Sequence, residues 1–380
     1  MQDGRRNHQT GQTRHFEPRK IEFDSIIVQG KTGHVNLSAL KWLSHHNVPI
    51  FFLDFDGSII SSILPPTPIK ADLRVAQVQA ASDSEKKFQV AHAFVKAKIA
   101  RSLEVLDWLG ERYDIEQEVR MAKGEASKLG EAKTVNELRT VEGRTALRYW
   151  EAFAKVMPKH LGFRGRMVNS RNSNAVDCVN ASLNYGYGFL QIEVRKAVNS
   201  VGLEPAVGFL HEIASSQTAE SLVYDLEEPF RFLIDTTVVK AFETDALNPS
   251  HFAYERDDYL YRIQPDGTKR LLDLLREQFN SGIVYKGQRM KWDTVIEEKA
   301  FELSRFLTGK APSIDFEEPS PVLERTDSRD MRERILTLNS SKAKELGIQK
   351  STLHYLRQRA EDGRPFTVYE KVREKLEATS

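Results

Sequence analysis

The 380-residue chain has a single cysteine, Cys178. That excludes an internal disulfide and any cysteine-built zinc cluster, and it fits a reducing compartment. No apolar run approaches the ~20 residues a membrane-spanning helix needs, and the first residues lack the apolar core of a secretion signal. The chain therefore reads as soluble and cytoplasmic, with no membrane partner. Neither sign of charge prevails: 55 Lys and Arg face 54 Asp and Glu, for a net charge of +1. A polyanion would have to be gripped by local basic clusters rather than by the charge of the whole molecule. With 40% hydrophobic residues and this length, the chain has material for two or three domains and needs no covalent staples.

Against that ordinary background, three residues break their local patterns. From Thr134 to Met157 the sequence reads as a helix: Thr134 and Glu137 have capping-box spacing, and Leu138, Thr145, Tyr149, Phe153 and Val156 recur at helical intervals. Glu142 falls on that apolar stripe. Asp225 repeats the anomaly in SLVYDLEEPFRF, where Leu222, Leu226 and Phe232 mark the inward face. A buried carboxylate costs several kcal/mol unless it is paired or binds a metal. His211 closes the short apolar run VGFLHE, ahead of the second helix. Taken singly, each residue has a plainer explanation: a carboxylate paired with Arg148 or Arg231, or a histidine satisfied in the core. Taken together, they suit a hard divalent cation, Mg²⁺ or Mn²⁺, with the imidazole tilting the set towards Mn²⁺. Such a centre activates phosphodiesters, with water as nucleophile in a nuclease and a DNA 3′-hydroxyl in strand joining. Glu228, three residues after Asp225, can reach the same face as a supporting residue, and Pro229 should break or kink the helix there.

Basic residues cluster in the leader, in GFRGRMVNSRNSN, in YKGQRMKW and near the end. The second cluster mixes Gly, Asn and Ser donors with Arg164, Arg166 and Arg171 just before the NASLNYGYG helix and its Tyr187. These four residues are the phosphate-contact candidates of the middle of the chain.

The pattern along the chain divides into an α+β arrangement. Residues 1–71 form a small β-rich domain, with 1–20 flexible, strands in IEFDSIIVQG, PIFFLDF and SIISSIL, a helix from Leu37 to His46 and a hairpin turn at Asp56-Gly57. Residues 72–309 read as a larger all-α catalytic domain. The Pro- and Ser-rich stretch 310–329 reads as a linker. In 330–380, SSKAKELGIQKSTLHYLRQRA has helix-turn-helix spacing, with Ala343 at the close approach, Gly347 in the turn and Ile348, Leu353 and Leu356 inward. Its second helix exposes Lys350, Ser351, Thr352, His354, Tyr355 and Arg357 to a major groove.

The segments VEGRTALRYW, NASLNYGYGFLQIEV, PAVGFLHEIASSQTAESLVYDLEEPFRFLID and DSIIVQGKTGHVNLSALKWLSHHNVPIFFLDFDGSIISSILP resemble the CRISPR adaptation integrases, and the likeness runs from about Ile21 to about Gly309. With the added helix-turn-helix, the chain is similar to the casposase branch, whose enzymes mobilise casposon elements. The resemblance implies a prokaryotic integrase that holds Mg²⁺ or Mn²⁺ on Glu142, His211 and Asp225 and dimerises through its β-rich domain. It implies DNA partners: element ends with terminal inverted repeats, and a target duplex. Two other readings stand beside it, a CRISPR adaptation integrase working with the small adaptation partner, and a DNA-binding regulator without catalysis.

Overall fold

The computed structural model describes residues 23–30, 33–66, 70–166, 175–211, 220–255, 260–316 and 329–361. The leader, Arg171, most of the linker and the residues after 361 lie outside these.

The chain opens with β1 (Ile26–Gln29), α1 (Leu37–His45), β2 (Ile50–Leu53) and β3 (Ile59–Ile63). β1 and β2 run parallel, with Ile26 opposite Ile50, so α1 is a crossover between them; β3 returns antiparallel, with Ile50 opposite Ile63. Asn36 caps α1 by accepting from the Ser38 amide. The turn between β2 and β3 is closed by Asp56, whose carboxylate accepts from the Ser58 amide, and by Gly57 at φ 90°. That turn also docks the small sheet on the helical part. Gly57 packs against the backbone of Tyr185, and a Cβ on Gly188 would sit 1.9 Å from the Gly57 carbonyl. The contact exists only because both residues lack side chains.

The helical part comprises α2 (Ala71–Ser82), α3 (Ser84–Gly110), α4 (Glu116–Ala126), α5 (Val135–Val156), α6 (Cys178–Val201), α7 (Ser221–Glu227) and α8 (Arg231–Glu243). Next come the hairpin β4 (Phe252–Glu255) and β5 (Leu260–Ile263), α9 (Pro265–Asn280), the hairpin β6 (Ile283–Tyr285) and β7 (Gln288–Met290), and α10 (Trp292–Leu307). α6 and α8 lie at its centre and are buried along most of their lengths. One continuous apolar core runs from Phe51 and Leu53 of the small sheet through these helices to Phe316, which stacks on Phe94. The two hairpins correct the all-α expectation. Their three- and four-residue strands are too short to give a period, and the second turns on Lys286 and Gly287 with positive φ.

The last described elements are α11 (Arg329–Thr337), α12 (Ser340–Glu345) and α13 (Lys350–Glu361). They enclose a separate small core of Ile335, Leu338, Ala343, Ile348, Leu353, Leu356 and Ala360. Gly347, at φ 68°, makes the turn between α12 and α13. Arg332 reaches the helical part over the Tyr113 ring, 5.8 Å from its centroid. Among the described residues, no helix is long and apolar enough to cross a membrane.

Candidate metal centre

Glu142 comes from the middle of α5. The helix starts where the sequence indicates, with the Thr134–Glu137 capping box formed in both directions. Its inward residues Leu138, Val141, Thr145 and Tyr149 are buried, and Glu142 stands at the edge of that face with its side chain 21% exposed. Opposite, on α3, Lys98 continues the inward spacing of Phe94 and Val105. Its ammonium contacts Glu142 Oε1 and lies 2.5 Å from Glu228 Oε2.

Glu228 opens the 3-10 turn Glu228–Phe230 that separates α7 from α8, where Pro229 breaks the helix as its chemistry requires. Arg231 clamps the turn from within, 3.0 Å from Glu227 and 3.3 Å from Glu228. Burial works against ionising Glu228, but Arg231 and Lys98 outweigh it and bring the carboxyl down to about 2. Glu227 is as deeply buried, and there burial prevails over Arg231, with the neighbouring Glu228 charge adding to the rise, so its carboxyl is pushed up to about 7. For Lys98, burial disfavours the charge, yet Glu228 and Glu142 hold the ammonium above the usual lysine value.

His211 ends a loop that is pinned from two sides. Gln77 of α2, fully buried, donates to the carbonyls of Glu204 (2.9 Å) and Val207 (2.7 Å) and accepts from the Glu204 amide (2.8 Å). Arg139, one turn before Glu142, donates to the Leu210 carbonyl at 2.8 Å. The loop then closes on Asp225. Its Oδ2 accepts from the amides of Phe209 (2.5 Å) and Leu210 (2.9 Å), while Oδ1 accepts from the His211 amide (2.8 Å) and faces ring Nδ1 at 2.7 Å. A Cβ at Gly208 would lie 2.8 Å from Asp225 Oδ2 and 2.7 Å from the Ser221 side chain, so a glycine is needed for this closure. The Asp225 hydrogen bond raises the His211 pKa, against the opposing effect of burial. With Nδ1 so engaged, Nε2 faces Glu228 Oε1 at 4.0 Å.

Asp225 has no exposed surface, and its two oxygens face three backbone amides and one imidazole. Glu228, expected as a supporting residue, shares Lys98 with Glu142 and lies 4.0 Å from His211 Nε2. As they stand, no group of three or more His, Cys, Asp or Glu among the described residues is arranged to hold a metal ion, and the Lys98 ammonium contacts both Glu142 and Glu228. The donor types of Glu142, His211 and Asp225, two carboxylates and an imidazole, fit a hard divalent cation. Glu228 Oε2, buried beside the ammonium, also has no aligned hydrogen bond among the described residues. Lys98 was missed in the sequence, although a lysine at inward helical spacing in FVKAKIARSLEV was its signal.

The DNA-contact candidates divide. Arg164 is exposed. Arg166 instead turns inward, donating to Asn180 (3.0 Å) and Asn184 (2.8 Å) of α6. Tyr187 is buried, and its hydroxyl donates to Asp235 at 2.6 Å beneath the Arg231 guanidinium, so in this structure it packs in the core. On α13, Lys350, Ser351, His354 and Tyr355 are exposed and Thr352 half-buried. Arg357 points back to the Leu338 and Ile335 carbonyls, capping the end of α11.

The family profile described as CRISPR associated protein Cas1 matches residues 6–277. A CRISPR-associated endonuclease Cas1 of Archaeoglobus fulgidus is 30% identical over 310 residues, covering 77% of this chain and 88% of that one. One from Thermus thermophilus is 32% identical over 283 residues, covering 73% of this chain and 84% of its own. Among solved structures, a casposase bound to integration product aligns with TM-score 0.76 and 37% identity over 85% of this chain and 89% of that one. A Cas1 protein from Thermotoga maritima shares the fold, with TM-score 0.65 and 20% identity over 78% and 89% of the two chains.

Proposed function

The chain belongs to the CRISPR-associated Cas1 family of endonucleases and integrases, and from that premise we propose that it is a casposase, joining the 3′-hydroxyl ends of a mobile element to target DNA by transesterification. The observation that carries this reading is the likeness to the casposase bound to integration product, at 37% identity over 85% of the chain. The centre supports the chemistry. Glu142, His211 and Asp225 would hold Mg²⁺ or Mn²⁺, with Glu228 beside them as a supporting residue, and the ion when bound would polarise the phosphoryl group and stabilise the attacking and leaving oxygens.

The chain's own residues prepare that site. Asp225 faces the His211 ring at Nδ1 and orders the loop through three backbone amides. Arg231 keeps Glu228 ionised and oriented. The helix-turn-helix reading of α11–α13 is supported by the separate core, the Gly347 turn and the exposed Lys350, Ser351, His354 and Tyr355, which suit phosphate and base-edge contacts on element ends or target. Exposed Arg164 suits the same backbone.

A second reading, a CRISPR adaptation integrase, is favoured by the names of the Archaeoglobus and Thermus relatives. It differs in requiring the small adaptation partner and a repeat-spacer target.

The roles are tested by substitution in Mn²⁺-dependent strand joining. Glu142→Ala, His211→Ala and Asp225→Ala should each abolish joining, by about 10³-fold or more, since each removes a ligand. Glu228→Gln keeps the shape and should leave a residual rate, lowered by about 10–100-fold as for other residues behind metal ligands. Equal rates for Asp225→Ala and the unaltered protein would overturn the ligand assignment.

A further inference from the structure

The two cores of the chain meet at a run of aromatic rings and guanidinium groups. Trp108, near the end of α3, carries the Arg112 guanidinium 3.9 Å from its ring centroid, and Arg112 also lies 5.5 Å from the Tyr113 ring. Arg332 of α11 lies over Tyr113 at 5.8 Å. Glu243, at the end of α8, ties the run together: it pairs with Arg112 at 3.2 Å and accepts from the Tyr113 hydroxyl. Arg112 and Glu243 are buried, and Arg332 is half-buried. We propose that this run is a socket in which Arg332 seats α11–α13 on the helical part, so that Arg332 positions the DNA-reading helix and sets the distance between the sequence it grips and the point of joining. The proposal rests on the helix-turn-helix reading of α11–α13 and on strand joining as the reaction.

Arg332 stands outside the small apolar core of α11–α13, so its side chain serves the contact with the helical part, and its removal leaves that core intact. Burial lowers the Arg332 pKa, against the opposing pull of Tyr113 and Glu243. The guanidinium thus gives up water to enter the socket, a cost that the ring and the carboxylate offset. Arginine suits such a place, because its planar, weakly hydrated group lies on an aromatic face while its edge stays available to an acid.

The need for a seat follows from chain length. The long core reaches its last described residue at Phe316, stacked on Phe94 at 4.7 Å, and α11 begins at Arg329. A connection of that length could span about 40 Å at full extension, roughly twelve base pairs of duplex. A module held by such a tether alone would let joining fall at many distances from the sequence that α13 reads. Seated by Arg332, it allows one.

The test compares the full-length wild type, Arg332→Ala and Arg332→Lys in two measurements. Small-angle X-ray scattering, without DNA or metal, reads the seat itself. Arg332→Ala should increase the maximum dimension by about 10 Å or more as the module moves out on its tether, and Arg332→Lys, which keeps the charge and loses the planar stack, should lie between. Sequencing of the junctions from Mn²⁺-dependent joining into plasmid reads the distance. The wild type should place its junctions in a narrow window at a fixed offset from a preferred sequence. Arg332→Ala should spread them over about fivefold more positions, with Arg332→Lys intermediate and the total amount of joining lowered by only a few-fold. Identical scattering for Arg332→Ala and the wild type overturns the seat. An opened molecule whose junctions keep the wild-type offset overturns the positioning role alone. Wild-type junctions without a preferred sequence overturn the helix-turn-helix reading, and a wild type that makes no junctions overturns strand joining; in both cases the positioning role falls with them, while the scattering still decides the seat.

Discussion

Four acids between Asp225 and Asp235 are buried, and each is handled differently. Asp225 is satisfied by backbone amides and a histidine, Glu228 by two cations, Glu227 by Arg231 with a carboxyl pushed up to about 7. Asp235 accepts from the hydroxyls of Tyr187 (2.6 Å) and Tyr149 (2.8 Å), yet burial outweighs both bonds and pushes its carboxyl from 3.8 up to about 6. The folded protein therefore binds the Asp235 proton more tightly than the unfolded chain. Its contribution to stability is full below the unfolded pKa near 3.8 and is lost as pH rises through about 6. Asp235→Asn removes this titration, so urea melts should find the variant gaining about 2 kcal/mol relative to wild type between about pH 4.5 and pH 7.5. A constant difference across that range would contradict it. Glu142 was legible as an acid on an apolar stripe, and Asp225 for the same reason. The backbone amides that the histidine loop brings to Asp225 were not, because they depend on how a distant loop folds. Lys98 pairs with Glu142 across 44 residues, a contact that no local period records.

The histidine loop is the element on which the centre turns. Its described residues carry a turn bond from the Val207 amide to the Glu204 carbonyl at 3.2 Å, and it borrows further order from Gln77, Arg139 and Asp225. Gln77→Leu leaves two carbonyls and one amide of the loop without their partner, a cost of about 1–3 kcal/mol for each buried group left unsatisfied. Strand joining should fall by about tenfold or more, because small displacements of a catalytic group are costly. A variant that melts earlier but joins at the wild-type rate would show that Gln77 stabilises the fold without aiming His211. Elements with strong end signals were legible to within a residue: α5 by its capping box, α1 by its period, the β2–β3 turn by Asp56-Gly57, the α7–α8 break by Pro229. The two later hairpins were not, since a three-residue strand and its neighbour offer no alternation to read. Likewise Tyr187 lies in a helix buried nearly all round, where sequence cannot separate core from surface.

At the scale of the molecule, the separate core of α11–α13 and the long core that ends at Phe316 predict that a chain ending between 316 and 329 stays folded. It should lose affinity for DNA, with a shallower dependence on salt, because cationic contacts such as Lys350 go with the removed part. Aggregation of the shortened chain would contradict the division. The central claim is that this chain alone performs strand joining with a DNA 3′-hydroxyl as nucleophile. The direct measurement mixes the purified protein with Mn²⁺, supercoiled plasmid and a duplex carrying inverted-repeat ends, with the 3′-hydroxyl either free or replaced by hydrogen. Covalent donor–plasmid product from the free end and none from the blocked end is the predicted result; plasmid nicking without joining, or joining that appears only after the CRISPR adaptation partner is added, would contradict it.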